Sequence, residues 1–437
     1  MNNNVIRIID IEIENIKNVS KGNISFDDIK DDDLKSDIIA IYGQNGSGKT
    51  AIIDSINILK QTMSGLKVNK NVINYINKNV ITAGLKFKFQ INNYIVNYHF
   101  DIKNIDNSYP VISYEYLSYL NDNGEDNVII ESFNDDLSNN SYNNSIKLDD
   151  FDLNKLNTLK SKLYLNRKSF IFNSTILNII SKHNNKLLNI IKILKHYSKN
   201  NLYIIEMSNY SLNNTKLIPI PLSDTLGSKQ VILKTGLINV LKSDLSDFNK
   251  IINQLSYLTS TIIPNMKIEF ITSNDYINKN NEEVITGELY SIKNNVAIKL
   301  AYESEGIKKI VSILSALIAV YNNESYFVAI DELDSSIFEY LLGELLSVFS
   351  SSGKGQLLFT SHNLRVLEVI PKEGIYFSTI NPNNKFIKFT NLDNNNNLRN
   401  AYLRAIQLGG TIETIYEDTN KYDIIRALRL KGKNDGK

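Results

Sequence analysis

The chain has 437 residues, of which 42% are hydrophobic, and this length exceeds the size at which one core usually keeps growing, so we expect two lobes. Lys and Arg total 48 against 47 Asp and Glu, and the resulting formal net charge of +1 gives no ground for strong overall affinity for nucleic acid or a membrane. The absence of cysteine excludes disulfides and zinc-thiolate sites, and no apolar run approaches the ~20 residues of a membrane span. We therefore expect a cytoplasmic protein with no membrane partner.

The N-terminal segment has the pattern of β-structure. Apolar and polar side chains alternate over residues 5–14, which predicts a half-solvated strand, and a second short strand is predicted at 24–26. The acidic residues that follow, at 27–33, indicate a solvated loop.

A glycine-rich loop lies between a predicted strand and a predicted helix. Residues 38–42 are continuously apolar, which is typical of a strand covered on both faces, and GQNGSGKT then matches G-x-x-x-x-G-K-[ST] in full. The glycines let backbone amides point at a polyanion, Lys49 would reach the β- and γ-phosphates of ATP, and the Thr50 hydroxyl would bind Mg²⁺. The residues predicted to contact ATP here are Gly43, Asn45, Gly46, Ser47, Gly48, Lys49, Thr50 and Ala51.

The next hundred residues again favour strands. Two period-two runs separated by Asn92 and Asn93 predict a hairpin over residues 83–102. Tyrosine-rich strand candidates follow at 111–120 and 127–133, with Asn- and Asp-rich loops around them.

The period then becomes helical. Residues 174–198 predict one helix or a helix pair, and apolar side chains at three-four spacing from Ile238 to Leu255 predict an amphipathic helix. Together they indicate an inserted helical lobe, either a two-helix projection or helices packed on the rest of the chain. Its lysines form either a solvated face or a nucleic-acid stripe: Lys182, Lys186, Lys192 and Lys195.

A polar turn, ESEG at residues 303–306, precedes another apolar-periodic helix. A serine and free backbone amides at a helix N-terminus suit a phosphate, so Ser304 and Gly306 are candidate nucleotide-binding residues. An ordinary helix cap is the alternative.

Two acids end a predicted buried strand. The apolar run 326–330 stops at Asp331 and Glu332, and charges at such a strand end are costly unless they meet a cation or open onto a crevice. We expect Asp331 to hold Mg²⁺ through its water shell and Glu332 to orient and deprotonate the attacking water.

A further strand, predicted at 356–360, is followed by His362. A histidine at this strand tip is placed to sense the γ-phosphate of ATP. The predicted catalytic residues are Lys49, Glu332 and His362.

These motifs, GQNGSGKT, ESEG, FVAIDELDSS and LLFTSHN, occur in an order that resembles the ABC-type ATPases of the SMC, RecF and OLD kinds. Within that group the chain is most similar to the AAA_15 and AAA_21 ATPases of bacterial anti-phage defence, such as the ATPase components of the PARIS and Septu systems. The resemblance covers residues 1–100 and 295–410. It implies an α/β fold of the ABC-type P-loop ATPase class, with a mixed sheet and an antiparallel β-subdomain beside the inserted helical lobe.

The resemblance also implies how the site is completed. Two nucleotide lobes face each other head to tail, so Ser304 and Gly306 would act in trans within a homodimer or larger homo-oligomer. A glutamine is expected to contact Mg²⁺ and the attacking water, and Gln90 is the candidate, with an ordinary strand residue as the alternative. The ESEG sequence departs from the leucine-serine-glycine-glycine of transporters, which disfavours transport.

Three functions follow as hypotheses. The first is an ATP-driven sensor and scaffold that controls a separate, nuclease-like effector in anti-phage defence. The second is a RecF- or SMC-like DNA-binding repair ATPase. The third, an OLD-like nuclease-associated ATPase, is disfavoured because no DxD cluster follows His362.

The expected domains are an N-terminal part of the ATPase lobe with the β-subdomain (1–165), the helical insertion (166–270), the C-terminal part of the ATPase lobe (271–395) and a helical tail (396–437). The tail is predicted to hold helices at 398–407 and 411–430 and to end in a disordered stretch at 431–437. It either docks on a partner or covers the ATPase lobe.

Overall fold

The computed structural model of the protein describes residues 4–27, 37–105, 108–120, 126–133, 150–182, 185–206, 217–220, 229–232, 237–389, 398–408, 413–417 and 420–429. The predicted loops at 28–33 and 134–144 and the end of the tail at 431–437 lie outside these residues.

The strands in chain order are β1 (Ile6–Ile16), β2 (Val19–Ser25), β3 (Asp37–Tyr42), β4 (Thr82–Ile91), β5 (Tyr94–Ile105), β6 (Tyr109–Leu120), β7 (Asp126–Phe133), β8 (Leu202–Ile205), β9 (Leu217–Ile220), β10 (Lys229–Ile232), β11 (Leu237–Leu241), β12 (Met266–Ile277), β13 (Glu283–Lys293), β14 (Val296–Lys299), β15 (Phe327–Ile330), β16 (Gln356–Ser361), β17 (Ile375–Ser378) and β18 (Phe386–Ile387).

The α-helices are α1 (Thr50–Met63), α2 (Asp150–Leu165), α3 (Ser174–Ile180), α4 (Asn185–Asn200), α5 (Leu245–Ile262), α6 (Glu305–Asn322), α7 (Glu339–Ser352), α8 (Val366–Val369), α9 (Leu398–Leu408) and α10 (Lys421–Arg429).

A mixed sheet forms the centre of the fold, in the order β18-β17-β3-β16-β15-β8. Neighbouring strands from β17 to β8 run parallel, and β18 pairs antiparallel with β17. Side chains of a strand alternate between faces, so Ile39 and Ile41 pack toward α1 and the antiparallel sheet, whereas Ile38 and Ala40 pack toward α6 and α7. The α/β fold class with mixed sheets is thus confirmed.

The expected antiparallel β-subdomain is a sheet in the order β2-β1-β4-β5-β6-β7. Its β4–β5 hairpin turns at Asn92, as predicted, and the backbone of Asn92 has a φ of 51°. A third sheet joins β11, β13, β12 and β14, and packs against α5 and α6.

The segment expected to be a helical lobe is not purely helical. Helices α3 and α4 form the predicted pair and pack into the core instead of projecting. However, β8 pairs in parallel with β15 at the edge of the central sheet. This strand was missed because a four-residue apolar run has the same composition as buried helix.

The predicted start of the amphipathic helix at Ile238 is also wrong. Residues 237–241 form β11, in which Ile238 and Val240 are buried in alternation, and the helix begins at Leu245. Pairing with β13 favours the extended conformation there.

In the tail, the predicted helix at 398–407 is confirmed as α9, whereas residues 413–417 are not helical as expected. They extend along the protein because Ile380 donates its backbone N–H to the carbonyl of Thr414 and the amide of Asn381 donates to the Glu413 carboxylate. Across the part of the chain described, no helix is both long and apolar enough to cross a membrane.

Candidate active site

The candidate site lies where parallel strands end. β3, β16 and β15 are adjacent, so the residues after Tyr42, Ser361 and Ile330 meet at one edge of the sheet. A pocket at this edge is lined by residues of the glycine-rich loop, of the strand ends and of the β1–β2 turn. They are Lys17, Asn18, Asn45, Gly46, Gly48, Lys49, Thr50, Ala51, Asp331, Glu332, Thr360 and His362.

The loop at residues 43–49, the phosphate loop, has a backbone that favours glycine. Gly46 and Gly48 have φ angles of 77° and 96°, in the left-handed region where residues with a Cβ are disfavoured. Ser47 is held outside the pocket wall, where its Oγ lies 2.5 Å from Oγ of Ser378 on β17.

Lys49 is folded back onto the phosphate loop. Its Nζ donates to the carbonyl oxygens of Gly43 and Gln44, each at 2.9 Å. Burial lowers the pKa of Lys49 to about 8, and the nearby carboxylates of Asp331 and Glu332 oppose that shift. A cation held among backbone carbonyls is placed to turn toward an anion that enters the pocket.

Asp331 and Thr50 present oxygen atoms to each other across the pocket. The Thr50 hydroxyl lies 3.3 Å and 3.4 Å from the two carboxylate oxygens of Asp331. Asp331 is buried and also accepts a 2.7 Å hydrogen bond from the hydroxyl of Thr360. A hydroxyl and a carboxylate form an oxygen donor set, which fits Mg²⁺, a cation that binds through one or two protein oxygens plus phosphates and water.

Glu332 is held in an unusual backbone conformation. Its φ of 48° and ψ of 60° are left-handed, which costs a non-glycine residue about 1–3 kcal/mol. Its backbone N–H donates to the Thr360 hydroxyl at 2.7 Å, and its carbonyl accepts from Nζ of Lys309 at 2.8 Å. These two bonds fix the main chain from which the Glu332 carboxylate reaches the pocket.

His362 lines the same pocket from the end of β16. Its backbone is fixed on both sides, because its N–H donates to Oδ2 of Asp334 and its carbonyl accepts from the Tyr42 hydroxyl. Burial and the positive charge of Lys49 lower the pKa of His362, so the ring is neutral at pH 7.

Three pocket residues were not predicted from the sequence. Asn18 donates from Nδ2 to the carbonyl of Gly46 at 2.7 Å, and Lys17 forms an ion pair with buried Asp54 on α1. Thr360 links Asp331 and Glu332, as described above. None belongs to a recognisable motif, and their role depends on contacts between distant parts of the chain.

Gln90 does not lie at this site. It pairs with Arg7 across β4 and β1, and Arg7 binds Asp37 at the amino end of β3, which is the opposite end from the phosphate loop. The Nε2 of Gln90 donates to the carbonyl of Asn92. The expected contact of Gln90 with Mg²⁺ is therefore corrected, and the strand-residue alternative holds.

Ser304 and Gly306 also lie outside the pocket wall of their own chain. Ser304 is the N-cap of α6, and its hydroxyl accepts from the backbone N–H of Ile307 at 3.3 Å. Neither residue lines the pocket that one copy forms.

The C-terminal segment reaches the phosphate loop. The side chain of Gln44 donates from Nε2 to the carbonyl of Glu417 at 3.2 Å, and its Oε1 accepts from the N–H of Glu417 at 3.0 Å. Nearby Ile415 is buried. Gln44 of the phosphate loop is thus hydrogen-bonded to a segment more than 370 positions later in the chain.

Comparison with solved structures returns alignments that cover most of this chain at low sequence identity. The SmcHead bound to the C-winged helix domain of ScpA is 14% identical over 88% of this chain and 97% of that one, with a TM-score of 0.48. An Smc head domain with an extended coiled coil, bound to the C-terminal domain of ScpA from Pyrococcus furiosus, is 13% identical over 88% and 96%, with a TM-score of 0.45. RecF bound to ATPrS, from the RecFOR pathway, is 14% identical over 85% and 97%, with a TM-score of 0.37.

A comparison with curated protein sequences returns no match. A family model described as "AAA ATPase domain", AAA_15, matches residues 7–367, which include the phosphate loop, the ESEG turn, the Asp331–Glu332 pair and His362. The matched span covers most of the chain, and the chain therefore belongs to the AAA_15 family of AAA ATPase domains.

Proposed function

We propose that this ATPase binds ATP with Mg²⁺ in the pocket, dimerises head to tail in response, and hydrolyses ATP when the second copy contributes Ser304 and Gly306. The main support is that predicted functional side chains from separate motifs line one pocket. They are Lys49, Thr50, Asp331, Glu332 and His362.

Binding would begin at the phosphate loop. The ammonium of Lys49 would exchange its two carbonyl partners for phosphate oxygens, which are stronger acceptors because they are charged. Mg²⁺ would be held by the Thr50 hydroxyl and the Asp331 carboxylate, and it neutralises phosphate charge when bound. Thr360 would keep Asp331 oriented, since its hydroxyl already donates to that carboxylate.

Hydrolysis would depend on Glu332 and His362. The Glu332 carboxylate would accept the proton of the attacking water, and its main chain is fixed by Thr360 and Lys309 so that the position is maintained without reorganisation. The neutral ring of His362 would donate a hydrogen bond to the γ-phosphate.

The ESEG turn is open to a second copy. A Cβ built at Gly306 meets no atom of the described residues within 4 Å, so none of those residues covers the start of α6 at this glycine. The acids beside Ser304 are held by partners, because Glu303 bonds to the Ser291 hydroxyl and Glu305 to Nζ of Lys308. The N-terminal amides of this 18-residue helix then suit a phosphate.

The ATP-driven association of two copies would serve to hold or release a separate, nuclease-like effector in anti-phage defence. This part of the proposal is supported by the resemblance of the motifs alone. It predicts that the isolated chain hydrolyses ATP and does not itself cut nucleic acid.

A second candidate, a DNA-binding repair ATPase, is favoured by the outer face of α4. This helix contains no Asp or Glu, and its exposed positions include Lys192, His196 and Lys199. ATP-dependent and salt-sensitive binding of duplex DNA that is lost in Lys192→Glu/Lys199→Glu would support this candidate over the effector model.

Mixing two inactive variants tests the trans site. Lys49→Ala should lose ATP binding and Ser304→Ala should retain it, and neither should hydrolyse ATP alone. In a mixed dimer one site combines an intact phosphate loop with an intact ESEG turn. Random association should restore about a quarter of the wild-type sites.

Sedimentation velocity of Glu332→Gln provides the second arm, since this variant should form a stable dimer with ATP and Mg²⁺. Restored hydrolysis in the mixture together with this dimer supports the proposal. A mixture as inactive as its parts, or full activity of Ser304→Ala alone, would overturn the trans assignment.

A further inference from the structure

Helix α10 exposes apolar side chains to solvent. Tyr422 and Leu428 are 82% and 77% exposed, and Ile424 and Ile425 are exposed as well. Helix α10 buries none of its own residues against the described part of the chain. An amphipathic helix of nine residues is marginal in water unless its apolar face is covered.

The same helix is basic. Lys421, Arg426 and Arg429 stand against Asp423, three cations to one anion, so its net charge is +2. A surface that covers α10 must therefore provide both apolar contacts and negative charge.

Helix α10 is tethered close to the phosphate loop. Gln44 exchanges two hydrogen bonds with the backbone of Glu417, and α10 begins four residues later at Lys421. Four residue steps span at most about 14 Å, so Lys421 lies within about that distance of Glu417, which is bound to the phosphate loop. In the proposed dimer, the ESEG turn of a second copy would arrive at this same loop.

The chain carries a surface with the required chemistry. We call it the signature edge, and it combines the start of α6 with the start of α7. Helix α6 contacts the segment before α7, because Lys309 in its second turn donates to the carbonyl of Glu332 and the hydroxyl of Ser335. Its members are Tyr302, Glu303, Glu305, Phe338, Glu339 and Tyr340.

Apolar exposure and charge on the signature edge match those of α10. Tyr302, Phe338 and Tyr340 are 80%, 77% and 60% exposed. The edge has three acids, Glu303, Glu305 and Glu339, and Lys308 pairs with Glu305. The net charge of the edge is therefore −2, opposite to the +2 of α10.

We propose that α10 of one copy docks on the signature edge of a second copy when ATP brings the two together. This inference rests on the proposed head-to-tail dimer and adds a partner for the tail. Through the bonds between Gln44 and Glu417, the docked helix would be connected to the phosphate loop of its own copy. Nucleic acid could pair with the cations of α10 and would leave its four exposed apolar side chains uncovered, so it matches the helix less well.

Cross-linking tests the docking directly, because the chain has no cysteine of its own and each engineered thiol is unique. Leu428→Cys and Phe338→Cys are placed in separate Glu332→Gln chains, mixed with ATP and Mg²⁺, and mildly oxidised. The control pairs Leu428→Cys with Leu165→Cys, a residue of similar exposure at the end of α2. We expect the test pair to give at least about tenfold more heterodimeric cross-link than the control pair, since docking raises the local concentration of the two thiols. Removing ATP should abolish the difference.

Charge reversal provides an independent arm. In the same background, Arg426→Glu/Arg429→Glu should weaken the ATP-dependent dimer at least about tenfold by sedimentation velocity. The matched control, Lys155→Glu/Lys162→Glu at two exposed positions of α2, should leave the dimer unchanged.

The outcomes separate the two proposals. If Glu332→Gln forms no dimer with ATP, the proposed function fails and the docking fails with it. If the dimer forms while the cross-link equals its control, only the docking is overturned. Loss of DNA binding without a change in the dimer on Arg426→Glu/Arg429→Glu would reassign α10 to nucleic acid.

Discussion

The hydroxyl of Thr360 donates to Oδ1 of Asp331 across 2.7 Å. The hydroxyl oxygen of Thr360 in turn accepts the backbone N–H of Glu332, also at 2.7 Å. One side chain at the end of β16 therefore positions both acids at the end of β15, the candidate metal ligand and the candidate base. Because a hydroxyl is both donor and acceptor, it satisfies both groups at once.

Thr360→Val should impair hydrolysis although it preserves side-chain shape. It leaves the N–H of Glu332 without its acceptor and removes the 2.7 Å donor to Asp331, which keeps only the longer contacts from Thr50, so both acids lose orientation. We expect the steady-state ATPase rate to fall roughly 10- to 100-fold, with a higher Mg²⁺ concentration for half-maximal activity. Thr360→Ser keeps the hydroxyl and should recover most of the rate; equal damage in the two variants would count against this hydrogen-bonding role.

Lys17 should contribute to ATP binding although no motif marks it. Its ammonium pairs with Asp54 and lies 4.8 Å from the centre of the Tyr75 ring, which holds the chain at the pocket wall. Lys17→Met should weaken binding of a fluorescent ATP analogue about tenfold, because the analogue would lose one charge-assisted hydrogen bond from the Lys17 ammonium. Lys21→Met, on the same hairpin with a more exposed side chain, is the matched control and should leave affinity unchanged. If the two variants bind the ATP analogue with the same affinity, Lys17 does not contribute to ATP binding.

Affinity for ATP should fall as the pH rises through about 8. The pKa of Lys49 is lowered to about 8 by burial in the free protein, and the phosphates would raise it again in the complex. Above pH 8, therefore, free Lys49 is neutral and binding must take up a proton, so Kd should increase by up to about tenfold per pH unit.

Calorimetry in two buffers of different ionisation enthalpy checks this prediction. It should detect net proton uptake on ATP binding near pH 8.5 and little uptake at pH 6.5. Proton release, or affinity that does not change between pH 7 and 9, would show that Lys49 binds phosphate without the predicted change in charge.

Gln44→Ala should loosen the C-terminal segment. The N–H of Glu417 donates to the side chain of Gln44, so its removal leaves that amide to exchange with solvent. Hydrogen exchange at Glu417 should become about fivefold faster, as expected for the loss of roughly 1 kcal/mol of protection. The carbonyl of Thr414 keeps its bond to Ile380, so exchange at Ile380 should be unchanged and serves as the internal control. Unaltered exchange at Glu417 would show that Gln44 does not retain the segment.

Much of the site followed from local sequence. The phosphate loop needs glycines at Gly46 and Gly48 because of their backbone angles, and such a need is visible in one stretch of chain. Asp331 and His362 each follow a short apolar run, and short parallel strands end at a common edge, so their approach to Lys49 was predictable.

Other features depended on partners that no local pattern specifies. Gln90 is of the residue type expected to contact the metal. The register of β4 on β1, however, places it beside Arg7 and away from the pocket. Residues 202–205 are a strand because β15 offers an open edge, and residues 413–417 are extended because Gln44 and Asn381 bind them. Propensity is a weak guide wherever such pairing decides the conformation.

The sequence by itself determined the ATP-binding chemistry, because the phosphate loop, the paired acids and the strand-end histidine are encoded in contiguous residues. Only the tertiary structure decided which distant residues complete the site. Thr360, Lys17 and Asn18 join it through hydrogen bonds and ion pairs between strands and loops far apart in the chain, and the tail reaches the phosphate loop in the same way. Such contacts form only when folding brings the segments together, since the free energy of each bond depends on its partner and not on its neighbours in sequence.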